Sequence, residues 1–426
     1  MWTISNFPAF KNLSGCTIKC YYACPVNGLD KKSHWLTHSK KCVFLGNLRF
    51  LPNDYSFRSL KKVFNNKAEW DEPPKTLFGQ EILKLVDCIN YKSGKHKGSK
   101  QKCDDCDDDI DKLFKRKSIF FYLEYWQHLL VRYVLDVMHI EKNVCESIYG
   151  TLLHQPGKTK DRVKARRDLI ELHIRGKLIS SENDKNSIPV VPYTLSKKKK
   201  KMFCQTLFET KVPEGYSSNF KSLVNLDDCR LQGLKSHDCH TLMQQLLPLA
   251  VCGYLPENVR KAINRMYFYF NTLCSKVLEI KSLDKLEKQH YVTMCLFEQF
   301  FQPSLFDIMV HLTVHLVDQV RLYGPVHLCW MYPFERNMKL LKGYVRNHCR
   351  PEGCIAEYYV ADEALEFCTE YLFNHDFIGL PPSCLVDYTI EKPLRGGEAM
   401  VVDVLLLQQA HLYVLENTIE CEIYNK

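Results

Sequence analysis

The chain has 426 residues, enough for two or three domains with a sizeable core. A hydrophobic share of 46% with 12% aromatics excludes a disordered chain, and a formal charge of +9 permits nucleic-acid binding without requiring it. No apolar run reaches membrane-spanning length, the N-terminus lacks the basic and long apolar regions of a secretory signal, and twenty scattered cysteines among sixteen histidines read as reduced intracellular thiols.

Residues 1–58 are rich in Cys, His and aromatics, with turn signals at Asn12–Gly15 and Pro25–Gly28. Cys20 and Cys24, followed by His34 and His38, form a zinc-like set with unusual inner spacing; the competing reading is a group of free thiols. Residues 59–117 read as a charged insertion or linker. Six aspartates between Asp104 and Asp111 repel one another and favour a solvated loop, and the single Cys103-x-x-Cys106 pair is a weak metal signal.

Order resumes over 118–178. The aromatic stretch before Asp136 suits a strand or a helix, and Val137, Ile140, Val144, Ile148 and Leu152 then keep a helical period. Asp136 therefore sits where a helix N-cap belongs, and Asp136-x-x-His139 also places two ligating groups at a strand-to-helix junction. Lys158, Lys160, Arg162, Lys164, Arg166 and Arg167 are dense enough for phosphate contacts, or form a solvated helix face.

Residues 179–210 are a polar linker ending in Ser196 and the run Lys197 to Lys201, either a nuclear address or a hydrated helix start. Residues 211–380 read as one mostly helical domain. Within it His311 and His315 are four apart, a spacing that suits a metal or two packed histidines, and GLKSHDCH (233–240) is a second, ambiguous polar cluster. In GPVHLCWMYPFERNMKLLKGYVRNHCRPE (324–352), Pro333 fits the first turn of a helix. Phe334, Met338, Leu341 and Val345 make an apolar stripe, Glu335, Lys339, Lys342 and Arg346 make a charged one, and Pro351 is expected to stop the element. Residues 381–426 read as an appended C-terminal extension.

Several stretches together resemble plant transposases of the CACTA (En/Spm) superfamily. They are FPAFKNLSG (7–15), LDVMHIEKNVCESIYGTLL (135–153), KTKDRVKARRDL (158–169), GLKSHDCH (233–240), WMYPFERNMKLLKGYVRN (330–347), RPEGCIAEYYVADEALEFC (350–368) and AHLYVLENT (410–418). The resemblance implies an α+β, predominantly helical chain: a truncated RNase H-like remnant, then a mostly α-helical domain of unknown function. It further implies an acidic triad holding two Mg2+ ions that cut DNA. Carried over, the second triad position falls on Asn6, the third acid on Glu335, and Asp136 with His139 match an auxiliary feature; the first acid is expected upstream of Met1. The family's Cys-Pro-x-Cys appears as Cys24-Pro25-Val26-Asn27, and its Gly-His-Arg-Arg-Phe-Leu as Gly46-Asn47-Leu48-Arg49-Phe50-Leu51.

A neutral amide at Asn6 cannot neutralise a metal pair. The expectation is thus a transposon-derived protein without catalysis in this form, with no cofactor of its own and zinc as a lesser prospect. Its expected partners are DNA at transposon ends, intact transposase or nuclear proteins, with no membrane and a nuclear location (cytoplasmic otherwise). Basic residues expected at DNA are those named between Lys158 and Arg167, with Lys339, Lys342 and Arg346. Two other readings stay open: an active DNA-cleaving transposase lacking an N-terminal exon, and a domesticated nuclear protein-interaction module.

Overall fold

The computed structural model describes residues 3–4, 7–17, 24, 26–27, 33–61, 64, 68–87, 113–114, 117–175, 178, 189–211, 219–371 and 408–409. Asn6, Cys20, the aspartate-rich block and nearly all of the C-terminal extension lie outside them. The fold is α+β and predominantly helical, with short strands. Two compact units divide at Leu340 and Leu341.

In the first unit, β1 (Thr3–Ile4) runs parallel to β4 (Tyr133–Val134), with Ile4 opposite Val134. Between them come α1 (Phe7–Ser14), the antiparallel hairpin β2 (Ser33–Leu36) and β3 (Lys41–Phe44), and α2 (Gly79–Asp87). Part of the expected 59–117 linker is therefore folded: α2 buries Ile82 and Val86 in a small core with Phe10, Trp126 and Tyr133. The ambiguous aromatic stretch resolves into two 3-10 turns, Ile119–Tyr122 and Glu124–His128, ahead of β4.

Helix α3 (Val137–Leu152) is the centre of the main core, with twelve buried residues that include Glu141 as well as Val144, Ile148 and Leu152. It is followed by α4 (Val163–Glu171) and α5 (Lys197–Glu209); the lysine run forms the first turns of α5, and the Ser196 hydroxyl caps it by accepting from Lys199 N–H. After the small hairpin β5 (Val224–Asn225) and β6 (Arg230–Leu231) come α6 (Ser236–Thr241), a π-helical turn at Leu242–Leu246, and α7 (Leu247–Val251). Two long helices, α8 (Glu257–Leu273) and α9 (Ile280–Phe300), pack on each other, and α10 (Ile308–Leu312) and α11 (Leu316–Tyr323) return the chain to α3 and β4.

One core cluster takes residues from Cys24 through Val326, so 118–178 and 211–330 share an interior and the expected boundary near residue 210 is not a boundary of packing. Long-range bonds reinforce this. Phe44 N–H donates to Phe306 carbonyl, and Glu298 accepts from Gly46 N–H, Asn47 N–H and the Asn47 amide. Gly46 has a φ of 80°, which only glycine adopts without strain.

Helix α12 (Tyr332–Tyr344) passes from the first unit into the second. Pro333 is its second residue, where its missing N–H is harmless. One expectation needs correction: Pro351 does not end this helix but begins α13 (Pro351–Tyr371). The apolar stripe lies on a helix without a buried residue, with Phe334 46% and Met338 66% exposed. Within the second unit, Tyr344 stacks on Tyr358, and Arg346 lies over the Tyr358 ring.

Arg166 is also corrected. It is 1% exposed, and its guanidinium forms two bonds to Asp161, at 2.6 and 2.7 Å, and others to the carbonyls of Leu178 and Pro189. Asp161 also accepts from the Tyr193 hydroxyl at 2.9 Å. Such an arginine is an interior tie, not a phosphate contact. Arg166→Ala should lower stability by about 3–5 kcal/mol in chemical denaturation, because it strands Asp161 in the core. Arg167→Ala, at the exposed neighbour, should change it by less than about 0.5 kcal/mol.

Candidate functional site

The site grows from the end of β4. Leu135 N–H donates to Gln319 Oε1 at 2.9 Å, and Gln319 Nε2 reaches back to Tyr133 carbonyl at 3.4 Å, so α11 clamps the strand end. Asp136 follows with the extended backbone of an N-cap residue, yet its side chain does not cap α3. It is 5% exposed, and neither carboxylate oxygen makes a hydrogen bond of good geometry, although the N–H groups of Met138 and His139 lie near enough to favour its charged form. Burial is the main cause that lifts its pKa from 3.8 to about 6. The nearby N–H groups of His139 and Met138 offset part of that cost, while the charge of Glu335 adds to it.

Glu335 stands exposed in the first turn of α12, its N–H bonded to Met331 carbonyl at 2.8 Å. A buried carboxyl whose proton affinity is raised by burial and by a neighbouring carboxylate is the kind of donor that a hard divalent cation relieves. His139, half-buried on α3, is kept neutral chiefly by burial and secondarily by Lys142. The expected residues Asp136, Glu335 and His139 thus belong to one region, and the Asn6 position lies outside the described residues.

Beside them is a group that sequence reasoning left unassigned. Glu141, wholly buried one turn into α3, meets His240 Nδ1 at 2.7 Å and Gln244 Nε2 at 2.8 Å. Burial pushes its carboxyl up and the His240 bond pulls it back. The rings of Trp330 and Tyr332 stand edge to face, 5.0 Å apart, with His240 packed against both. Burial, followed by the charge of Glu141 and more weakly Asp136, drives the Tyr332 hydroxyl well above its ordinary pKa. The signal for Glu141 was present: it occupies an apolar-face position, four after Val137 and three before Val144, where an acid needs a partner.

The zinc-like set separates. Cys24 joins His311 and His315, while His38 lies with Asp168 and Glu171, where Asp168 accepts from the N–H groups of His38 and Ser39. His34 is in β2 opposite Val43. The basic residues divide as well. Lys158 is held by Glu146 at 3.1 Å and Lys160 by Asp307 at 2.8 Å, whereas Arg162, Lys164 and Arg167 are exposed around α4, and Lys339, Lys342 and Arg346 along and just beyond α12.

Comparison with known families places two matches on this frame. Residues 1–89 match a transposase family, tnp2, and residues 273–377 match a domain of unknown function, DUF4218. These matches support a transposase-derived protein. No curated protein and no solved structure matches the chain. Glu335 comes from the second matched segment, and Asp136 from the stretch between the two.

The Asp136 carboxyl gives a signed pH dependence. Its folded pKa of about 6 lies above the ordinary 3.8, so the folded chain holds the proton over a window in which the unfolded chain has lost it. The contribution is present at low pH and lost as pH rises from about 4 through 6, a fall on the order of 2–3 kcal/mol. In chelator, Asp136→Asn should remove that fall and raise stability at pH 7.5 by a similar amount, read by thermal denaturation across pH. An Asn variant no more stable than the parent at pH 7.5 would mean that the carboxylate is paired.

Proposed function

We propose that this chain is a CACTA (En/Spm)-type, transposon-derived DNA-binding protein of the nucleus that does not by itself perform two-metal strand cleavage. The observation that carries this reading is the Asp136 carboxylate, buried without a side-chain partner just past a strand that pairs in parallel with β1, with Glu335 close enough to raise its pKa. That placement suits a degenerate RNase H-like site. Asp136 and Glu335 are the carboxylates that would hold a divalent cation, which when bound would supply Lewis-acid stabilisation of a phosphate oxygen. The position that resemblance assigns to another acid is Asn6, whose amide carries no charge to balance a second ion.

What the chain's own residues supply is phosphate attraction. Arg162, Lys164 and Arg167 are exposed and have no ion-pair partner among the described residues. Lys339, Lys342 and Arg346 continue the same chemistry on a second helix and just past its end. The lysine run at the start of α5 is the candidate nuclear address.

Binding to a duplex, followed by fluorescence anisotropy across a salt series, tests the reading. Log affinity should fall linearly with log salt. The triple Arg162, Lys164 and Arg167 to alanine variant should lower the slope by about 0.9 for each phosphate that these side chains neutralise. An unchanged slope would exclude that face. With divalent ions chelated, Glu335→Gln should leave affinity nearly unchanged; magnesium-dependent nicking by the parent that this substitution abolishes would overturn the absence of catalysis.

A further inference from the structure

Away from the carboxylates, the main core encloses a second constellation. Cys24 is 0%, His311 2% and His315 6% exposed, and their ligand atoms all lie within 4.8 Å of one another. The Cys24 sulfur is 3.4 Å from His315 Nε2. A tetrahedral zinc with a Zn–S distance of about 2.3 Å and a Zn–N distance of about 2.0–2.1 Å sets its sulfur and nitrogen roughly 3.5 Å apart, so the gap already has the length of a coordination edge.

The surroundings are built for such an ion. Asp307 caps α10 through Val310 N–H and fixes the helix that carries His311. The Phe44 ring stacks on His311 at 4.9 Å, and the two histidine rings stand edge to face at 5.2 Å. Asn27 N–H donates to the Cys24 sulfur at 3.5 Å, a bond that favours the thiolate. Asn27 itself is 1% exposed, and both polar atoms of its amide are buried without a hydrogen-bond partner. A buried amide so placed needs a neighbour that the protein does not supply. One side of the cluster is reachable, because His315 and Val26 also line a cleft with Leu77, Arg132 and Asp318.

We propose that Cys24, His311 and His315 form a buried three-ligand site for a thiophilic divalent ion, zinc by preference, with Asn27 or a water bound to it at the fourth position. One thiolate and two imidazoles select zinc or cobalt over magnesium and calcium, which require oxygen ligands. The site joins the segment before the hairpin to α10 and α11, so the ion would act as a structural clip between them.

The proposal stands apart from the DNA-binding reading and is tested without DNA. The chelator-stripped full chain is titrated with Co2+ and then Zn2+. A near-ultraviolet sulfur-to-cobalt band should grow and saturate at one thiolate-bound Co2+ per chain, and one equivalent of Zn2+ should displace it. Cys24→Ser should abolish the band. Asn27→Cys should strengthen it and tighten zinc, since it adds a second thiolate; this variant leaves the three ligands in place and tests the site even if Cys24→Ser misfolds. A parent chain without the band, a band that survives Cys24→Ser, or an Asn27→Cys chain that binds zinc no better would overturn the site.

Discussion

Helix α3 has almost no solvent face, and that constraint governs the rest of the first unit. A helix enclosed on most sides carries its polar residues inside with it, and each must then find a partner or remain costly. Glu141 finds one in the His240 and Gln244 pair. Asp136, at the N-cap little more than a turn earlier, has no such side-chain partner. Two acids near the start of one helix thus differ: one is held by a side-chain network and the other carries the full cost of its burial.

The same enclosure explains why the two family-matched segments are not independent bodies up to Leu340. The hairpin in the first segment hands its backbone to Phe306, the Gly46–Asn47 turn is held by Glu298, and Cys24 meets His315. Each of these joins the transposase-like stretch to the segment of unknown function across roughly 250 or more positions of sequence. The second match therefore completes the interior begun by the first, and it contributes the Glu335 side of the carboxylate region.

Charge was sorted by burial rather than by composition. Arg166 and Arg167 are adjacent and chemically identical, yet one is spent on Asp161 inside the core and the other meets water. Lys158 and Lys160 are likewise engaged by acids from elsewhere, Glu146 and Asp307. What remains for phosphate is the exposed subset, since a partnered or buried cation has little field left to offer a polyanion.

Local chemistry alone determined the helical character, the period of α3, the cap at Ser196, the helix start at Pro333 and the prominence of Asp136, His139 and Glu335, because those depend on neighbours a few residues away. Tertiary structure decided whatever depends on distant partners. It buried the Asp136 carboxyl at the N-cap of α3, gave Glu141 its histidine, and withdrew Arg166 from the surface. It also split Cys24 from His38 and set it beside His311 and His315, about 290 positions on. No spacing rule reaches that far: which groups share an interior is set by packing of the whole chain, and burial then fixes their charge and their ligands.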